Sequence, residues 1–344
     1  MRPAVMVVHG PEAFDQGDVA WLLSHVRPGR VIVAGVMART AAEESGLCVE
    51  FDGRPPSRVI LDTEGPVFLC NRGKTPHSGR VFGGIVASRL SMRGLVHVEC
   101  SSGTVYSWNG GDPLLAAGLA KITGYLPEEA ASTDAPQEGR RQIRGCIPGE
   151  PVYVNGIVIG RATAETVVLK SAGGSIVAVS GIELKPHGME KLIRRGIPDI
   201  GTAWCKSGIV RSQGAKNAIR ACRRGKVLTI DHCGHEIYAR MGGDCCGVLA
   251  IGDDTTAVCG HICLHRGIPV LGITDHDCDT ILLSAFAPGS VVLDTRPERD
   301  DDVGSGIAAS VPEYAVCWDD WVQDVLERFA GRVTVTLDLR EVRP

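Results

Sequence analysis

What most constrains this chain is a rhythm of short Val, Ile and Leu runs, each closed by a turn of Gly, Asn or Asp and followed by a stretch with helical spacing. Runs of that length are too short for helices, and their near-continuous apolar character fits strands buried on both faces. Parallel neighbours of that kind need a crossover segment, usually a helix. The first such runs are 5–8, 30–34, 66–70 and 95–100. Helical stretches follow His9-Gly10-Pro11-Glu12 to about residue 26, follow Gly35 through 41–45, and cover about 78–90 and 112–123. Pro11 suits the first turn of its helix, where a missing N–H costs nothing. This alternation predicts the α/β class, with helices on the faces of mainly parallel sheets.

The rhythm is interrupted once. Residues 130–140, rich in Ser, Thr, Asp, Pro, Gln and Gly, read as a linker. After them the runs 151–160, 166–171 and 175–179 are broken by Asn155-Gly156 and Gly173-Gly174, which are hairpin turn signals. From His187 the α/β pattern returns, with basic helices at about 189–195 and 215–224. Strands follow at 227–230, 247–251, 269–274 and 290–293, then a helix near 318–329 and a closing strand at 333–339. The expected organisation is an N-terminal α/β domain (1–129), the linker (130–140), a small β-rich module (141–185) and a C-terminal α/β domain (186–344). These are two doubly wound, Rossmann-like modules with a small β-rich module between them. A length of 344 residues fits about two domains, and 43 glycines with 5% aromatics fit tight turns around an aliphatic core.

Composition narrows the setting. No apolar run approaches the roughly 18 residues of a membrane helix. The segment before His9 lacks a signal peptide's apolar region and small-residue cleavage site, so a cytoplasmic protein with no membrane partner is expected. The 13 cysteines then read as thiols or ligands rather than a disulfide framework. Charge is uneven. Residues 185–226 hold eleven Lys/Arg against Glu190 and Asp199 (11 − 2 = +9), whereas 227–344 hold eight Arg against twenty acids (8 − 20 = −12). A basic stretch beside an acidic module fits a polyanion-binding face next to a metal site, or simply solvated helix surface.

In open parallel sheets, ligands bind beyond the carboxyl ends of the strands. In the last domain those positions hold Asp231-His232, Gly252-Asp253-Asp254-Thr255-Thr256 and Asp275-His276-Asp277-Cys278-Asp279. Six carboxylates on one rim repel one another, and a bound Mg²⁺, which takes carboxylate and water oxygens, relieves that repulsion. Helix capping is the competing account, but it uses one side chain per helix and leaves several Asp unassigned. The candidate metal ligands are Asp253, Asp254, Asp275 and Asp277.

This stretch, about residues 226–296, resembles the toprim module of topoisomerases and primases. That family has an acid after its first strand, a Gly after the second and Asp-x-Asp after the third, matched here by Asp231, Gly252, Asp275 and Asp277. The resemblance implies acid/base or metal chemistry at the first acid and Mg²⁺ on the Asp pair. The family's first acid is normally Glu, whereas Asp231 reaches one methylene less far, so Glu236, one helical turn on, stands beside it as a catalytic candidate. Nearly the full chain also resembles a domain-of-unknown-function family found mainly in methanogenic archaea. The residues that carry this likeness are His9-Gly10-Pro11-Glu12, Asn71-x-Gly73-Lys74-Thr75, Lys185-Pro186-His187-Gly188, Gly252-Asp253-Asp254-Thr255-Thr256 and Gly272-Ile273-Thr274-Asp275.

Gly73-Lys74-Thr75 is not a P-loop, because Phe68 stands where that motif needs its first Gly. A strand, a Gly turn and a helix N-terminus still form an anion-binding pattern, with His9, Asn71, Gly73, Lys74 and Thr75 as phosphate candidates, and ordinary surface lysine as the alternative. Arg211 and Lys216, in the basic stretch, are candidates for the same role. No Gly-x-Ser-x-Gly elbow occurs. Cys and His crowd 232–278 without a Cys-x-x-Cys doublet, which favours buried thiols over zinc or iron–sulfur ligation.

The leading expectation is a Mg²⁺-dependent enzyme acting on a phosphate ester or anhydride of a nucleotide or nucleic acid. The rivals are a non-catalytic nucleotide-binding or assembly protein and an enzyme of methanogen cofactor synthesis.

Overall fold

The computed structural model describes residues 3–132, 139–208, 211, 213–214, 224–275 and 286–340. In chain order the elements begin with β1 (Val5–His9), α1 (Glu12–Asp15), α2 (Asp18–His25), β2 (Arg30–Ala34), α3 (Val36–Ser45), β3 (Glu50–Asp52) and α4 (Pro56–Asp62). Then come β4 (Val67–Asn71), α5 (Pro76–Ser88), β5 (Leu95–Glu99), β6 (Thr104–Trp108), α6 (Pro113–Thr123), β7 (Leu126–Ala130) and β8 (Arg140–Arg144). The middle of the chain adds β9 (Pro151–Val154), β10 (Ile157–Ala162), β11 (Thr166–Ala172), β12 (Ser175–Ser180), β13 (Ile182–Leu184), α7 (Pro186–Arg194) and β14 (Cys205–Ser207). The last part runs β15 (Arg224–Asp231), α8 (Ile237–Arg240), β16 (Cys245–Ile251), α9 (Asp253–Arg266) and β17 (Val270–Thr274). It ends with β18 (Val291–Asp294), α10 (Asp300–Ala308), β19 (Val316–Cys317), α11 (Trp318–Arg328) and β20 (Thr334–Asp338). The α/β class holds. By internal packing the chain forms two units, Met1–Glu150 with Arg161–Leu184 and Ile193–Ala203, and Pro151–Gly160 with Lys185–Leu192 and Trp204–Pro344. Residues 141–185 contribute to both units.

The first unit holds a seven-stranded sheet ordered β3-β2-β1-β4-β5-β6-β7. Strands β1 to β5 are parallel, and the order reverses direction between β1 and β4. Alternate residues of β1 serve opposite cores, Met6 and Val8 on one face, Val5 and Val7 on the other. Burial on both faces is what the continuous apolar run required. The helix read from Pro11 to about residue 26 is two helices, because Gly17, at φ +80°, ends the first and begins the second. β8, β11 and β12 form a separate antiparallel sheet of three strands.

In the second unit the sheet order is β19-β15-β16-β17-β18-β20, with β15 to β18 parallel and both edge strands antiparallel. Right-handed crossovers that step the same way across a sheet lie on the same face. α9 accordingly covers one face, where Thr256 Oγ1 donates to the Ala250 carbonyl. The opposite face packs Leu249, Ile251, Leu271 and Ile273 against Val303 and Ile307 of α10 and Trp318, Trp321, Val322 and Val325 of α11. All four parallel strands end at one rim. No helix among the described residues is long and apolar enough to cross a membrane.

Candidate metal centre

Three consecutive strand ends of the second unit deliver acids to one rim. β15 ends in Asp231, and the next residue, His232, turns back with φ +52° so that its Nδ1 lies 2.8 Å from Asp231 Oδ1. β16 ends at Ile251, and Gly252 turns the chain into α9 at φ +104°. A side chain there would be strained, and its Cβ would lie 2.8 Å from the His232 ring. Asp253 and Asp254 then occupy the first turn of α9, where the helix dipole favours carboxylates. β17 ends at Thr274, followed at once by Asp275.

A fourth source is α10, whose first residue, Asp300, is fully buried. Ligand atoms of Asp253, Asp275 and Asp300 all lie within 4.8 Å of one another, and so do those of Asp231, His232 and Asp301. The Asp301 N–H donates to Asp300 Oδ1 at 2.8 Å, which ties the two groups together. The Asp275 side chain is only 9% exposed, and its Oδ1 is buried with no hydrogen-bond partner. Orphaned acceptors of this kind are uncommon and costly. Burial drives the Asp300 carboxyl above its ordinary pKa; the Lys191 ammonium pulls it down, and the charge of Asp275 pushes it further up.

Two basic side chains of α7 face these acids. Lys191 Nζ lies 3.0 Å from Asp300 Oδ1, 3.1 Å from Asp300 Oδ2 and 3.8 Å from Asp275 Oδ2. His187 Nε2 lies 3.7 Å from Asp275 Oδ2. α7 comes this close because Gly188 rests on β10, where a Cβ would stand 1.9 Å from the Val158 carbonyl oxygen. A small cleft, partly open to solvent, lies beside the carboxylates. Ile157 and Val158 supply apolar lining, and Lys185, Lys191, His232, Asp253 and Asp254 supply polar lining.

Of the residues singled out in the sequence, the structure therefore gathers Asp253 and Asp275, places Asp231 in the neighbouring group and Asp254 on the cleft wall. Glu236 joins neither group and accepts from Arg240 at 2.8 Å. Asp277 and Lys216 lie outside the described residues, as do most of the helix expected at 215–224 and its Arg220 and Arg223. Arg211 is buried, with its Nη1 3.2 Å from His261 Nε2. The remaining phosphate candidates belong to the first unit. His9 Nδ1 donates to the Ala34 carbonyl at 2.9 Å, and the ring stacks on Phe82. Asn71 bonds His97, and the Gly73 N–H donates to Glu99 Oε1 at 2.8 Å. Lys74 Nζ holds both oxygens of Glu150 at 2.7 and 2.8 Å, and Thr75 caps α5 reciprocally with Ser78. Among the crowded thiols, Cys259 and Cys263 are fully buried, and burial pushes both well above the ordinary thiol pKa, so each is an inert neutral thiol.

A family described as "uncharacterized protein conserved in archaea (DUF2117)" matches residues 6–314. The chain belongs to this family. The uncharacterized protein MJ0065 of Methanocaldococcus jannaschii is 32% identical over 327 residues, covering 87% of this chain and 88% of that protein. No solved structure matches the chain. The DUF2117 match takes in both carboxylate groups and the whole of α7. Nothing in these matches extends the toprim resemblance of residues 226–296.

Sequence reasoning missed Asp300, Asp301, Lys191 and His187 as members of the centre. Two signals pointed to them, the run Asp300-Asp301-Asp302 at a helix start and the motif Lys185-Pro186-His187-Gly188.

Proposed function

We propose that the second unit is a divalent-metal-dependent enzyme acting on a phosphate ester or anhydride of a nucleotide or nucleic acid. The observation that carries this reading is the Asp275 carboxylate, whose Oδ1 is buried without a hydrogen-bond partner while Asp253 and Asp300 stand within 4.8 Å. Three carboxylates that close are mutually repulsive, and a divalent ion held between them would relieve that repulsion. The all-oxygen donor set suits Mg²⁺ or Mn²⁺ better than zinc. A magnesium ion bound there would polarise a phosphoryl oxygen and acidify a water.

The surrounding residues fit the same chemistry. Asp231 fixes the Nδ1 proton of His232, which lines the cleft as a group able to take a proton from an attacking oxygen. Lys185 and Lys191 bring positive charge to the lining of that cleft, where a phosphate would lie. The wall of Ile157 and Val158 offers apolar surface to a base or sugar.

The test is Mn²⁺ binding followed by electron paramagnetic resonance, with a panel of nucleoside triphosphates and dinucleotides assayed for Mg²⁺-dependent phosphate or pyrophosphate release. The wild type should bind the ion in a defined stoichiometry, and Asp275→Asn should lose both binding and turnover while melting normally. Equal binding by the two proteins would remove the basis of the proposal.

A further inference from the structure

We infer that Lys191 is an internal stand-in for the divalent ion. Its ammonium occupies the carboxylate nest when no ion is bound, and it must be released toward the substrate's phosphate when one is. This deepens the reading above and rests on it.

Three observations lead here. First, the Lys191 side chain is 7% exposed and that of Asp300 is fully buried, so this is an interior ion pair. An interior carboxylate needs a compensating positive charge, and both Asp300 oxygens take it from the same ammonium, at 3.0 and 3.1 Å. Second, that ammonium is also 3.8 Å from Asp275 Oδ2, so it leans on two of the three carboxylates that would hold the metal. A dication ligated at about 2 Å by Asp275 and Asp300 would sit within a few ångströms of Nζ, where two positive centres repel strongly. The ion and the ammonium therefore exclude one another. Third, Lys191 already lines the cleft beside Lys185 and Gly188, so a change of rotamer brings its charge to an anion there without moving α7.

The exchange gives an order to binding. With the ion absent, Lys191 is held by carboxylates and the cleft lacks its main phosphate-binding charge. Once the ion replaces it on Asp275 and Asp300, the same charge becomes free for the phosphate. Because linkage is reciprocal, the phosphate would in turn tighten the ion.

Mn²⁺ titration of the full chain, with the thermal midpoint measured in parallel, tests the inference. Lys191→Met and Lys191→Gln should each bind Mn²⁺ about tenfold or more tightly than wild type, since the competitor is gone. Metal-free, both should melt below wild type, and Mn²⁺ should raise their midpoints by more than it raises that of wild type. Variants that fold only with Mn²⁺ present would support the same conclusion, because the ion then replaces the missing charge. Unchanged or weaker Mn²⁺ binding in these variants overturns it, as does failure to fold even with Mn²⁺, which would make Lys191 a purely structural cation. Failure of the metal centre itself reads differently: wild type and Asp275→Asn would then bind Mn²⁺ alike.

Discussion

The two units each gather polar residues at the ends of parallel strands, yet they resolve them in opposite ways. In the first unit the buried acid that ends β5 meets donors. Glu99 accepts from the N–H groups of Gly73, Ser101 and Ser102 and from the Ser101 hydroxyl. Burial works against its charge, but those hydrogen bonds hold the carboxyl below its ordinary pKa. In effect Glu99 fills, from within, the anion position that the Gly73 turn offers. In the second unit acids meet acids: Asp253, Asp275 and Asp300 form one group, Asp231 and Asp301 share another with His232, and one buried oxygen of Asp275 has no donor. Strand-end acids alone do not mark a binding site. On the function proposed above, the balance between acceptors and donors is what would separate a self-contained rim from one able to receive a cation.

The sharpest way to break this comparison is one chemical change made in both rims. Replacing Glu99 by Gln sets an amide N–H₂ against several N–H donors and removes charge-assisted bonds, so it should cost about 3 kcal/mol of stability. Replacing Asp275 by Asn removes a repulsive neighbour of Asp300, so the metal-free protein should stay within about 1 kcal/mol of wild type. Urea denaturation in metal-free buffer compares the two directly. Equal losses would mean that the second rim is as self-sufficient as the first.

Acid should also separate the units, with opposite signs. His97 is fully buried, and burial lowers its pKa to about 4. Its Nε2 donates to Asn71 Oδ1 while its Nδ1 accepts from the Trp108 indole N–H at 3.3 Å, a pattern that needs the neutral ring. The unfolded chain protonates near pH 6.5, so the contribution of His97 is complete above that value. It is lost as pH falls toward about 4 and totals roughly 3 kcal/mol at most. Asp300 has a raised pKa, chiefly from burial, so its contribution is fully present below the ordinary Asp value and is lost as pH rises through the raised one. Hydrogen exchange resolved by segment should show β4 and β5 losing protection between pH 6.5 and 4.5 while α10 keeps or gains it. In His97→Gln the loss in β4 and β5 should flatten. A uniform loss across both units would contradict the assignment.

How much of this was legible in sequence follows from which signals are local. Asp231, Asp253 and Asp275 each stand at, or within two residues of, the end of an apolar strand, so the rim could be read from position alone. Lys191 and Asp300 are 109 residues apart, and they meet through the packing of α7, with Gly188 seated on β10, which no local spacing encodes. Strand β7, Leu-Pro-Glu-Glu-Ala, went unseen as a strand because it is a mostly exposed edge and carries no apolar alternation. β6 was hidden for another reason. It returns from β5 as an antiparallel hairpin, Thr104–Trp108, inside a sheet in which the strands before it lead into helices.

The smallest effect tests the first rim where the sequence reading placed a phosphate. Lys74 Nζ holds Glu150 in a pair whose side chains are 27% and 10% exposed. Glu150 Oε2 also accepts the Ile147 N–H at 3.0 Å, so the pair fastens the loop before β9 to the start of α5. A pair that is mostly covered but still in contact with solvent contributes about 1 kcal/mol. Lys74→Ala should therefore lower the thermal midpoint by only a few degrees, and the loss should shrink at high salt. If Lys74 is fully engaged in that role, inorganic phosphate at millimolar concentration should shift wild type and variant equally. A phosphate-induced shift present in wild type and lost in Lys74→Ala would show that Glu150 yields the lysine to an external anion. The first rim would then be a ligand site as well, and the contrast with the second would narrow to which charge each one receives.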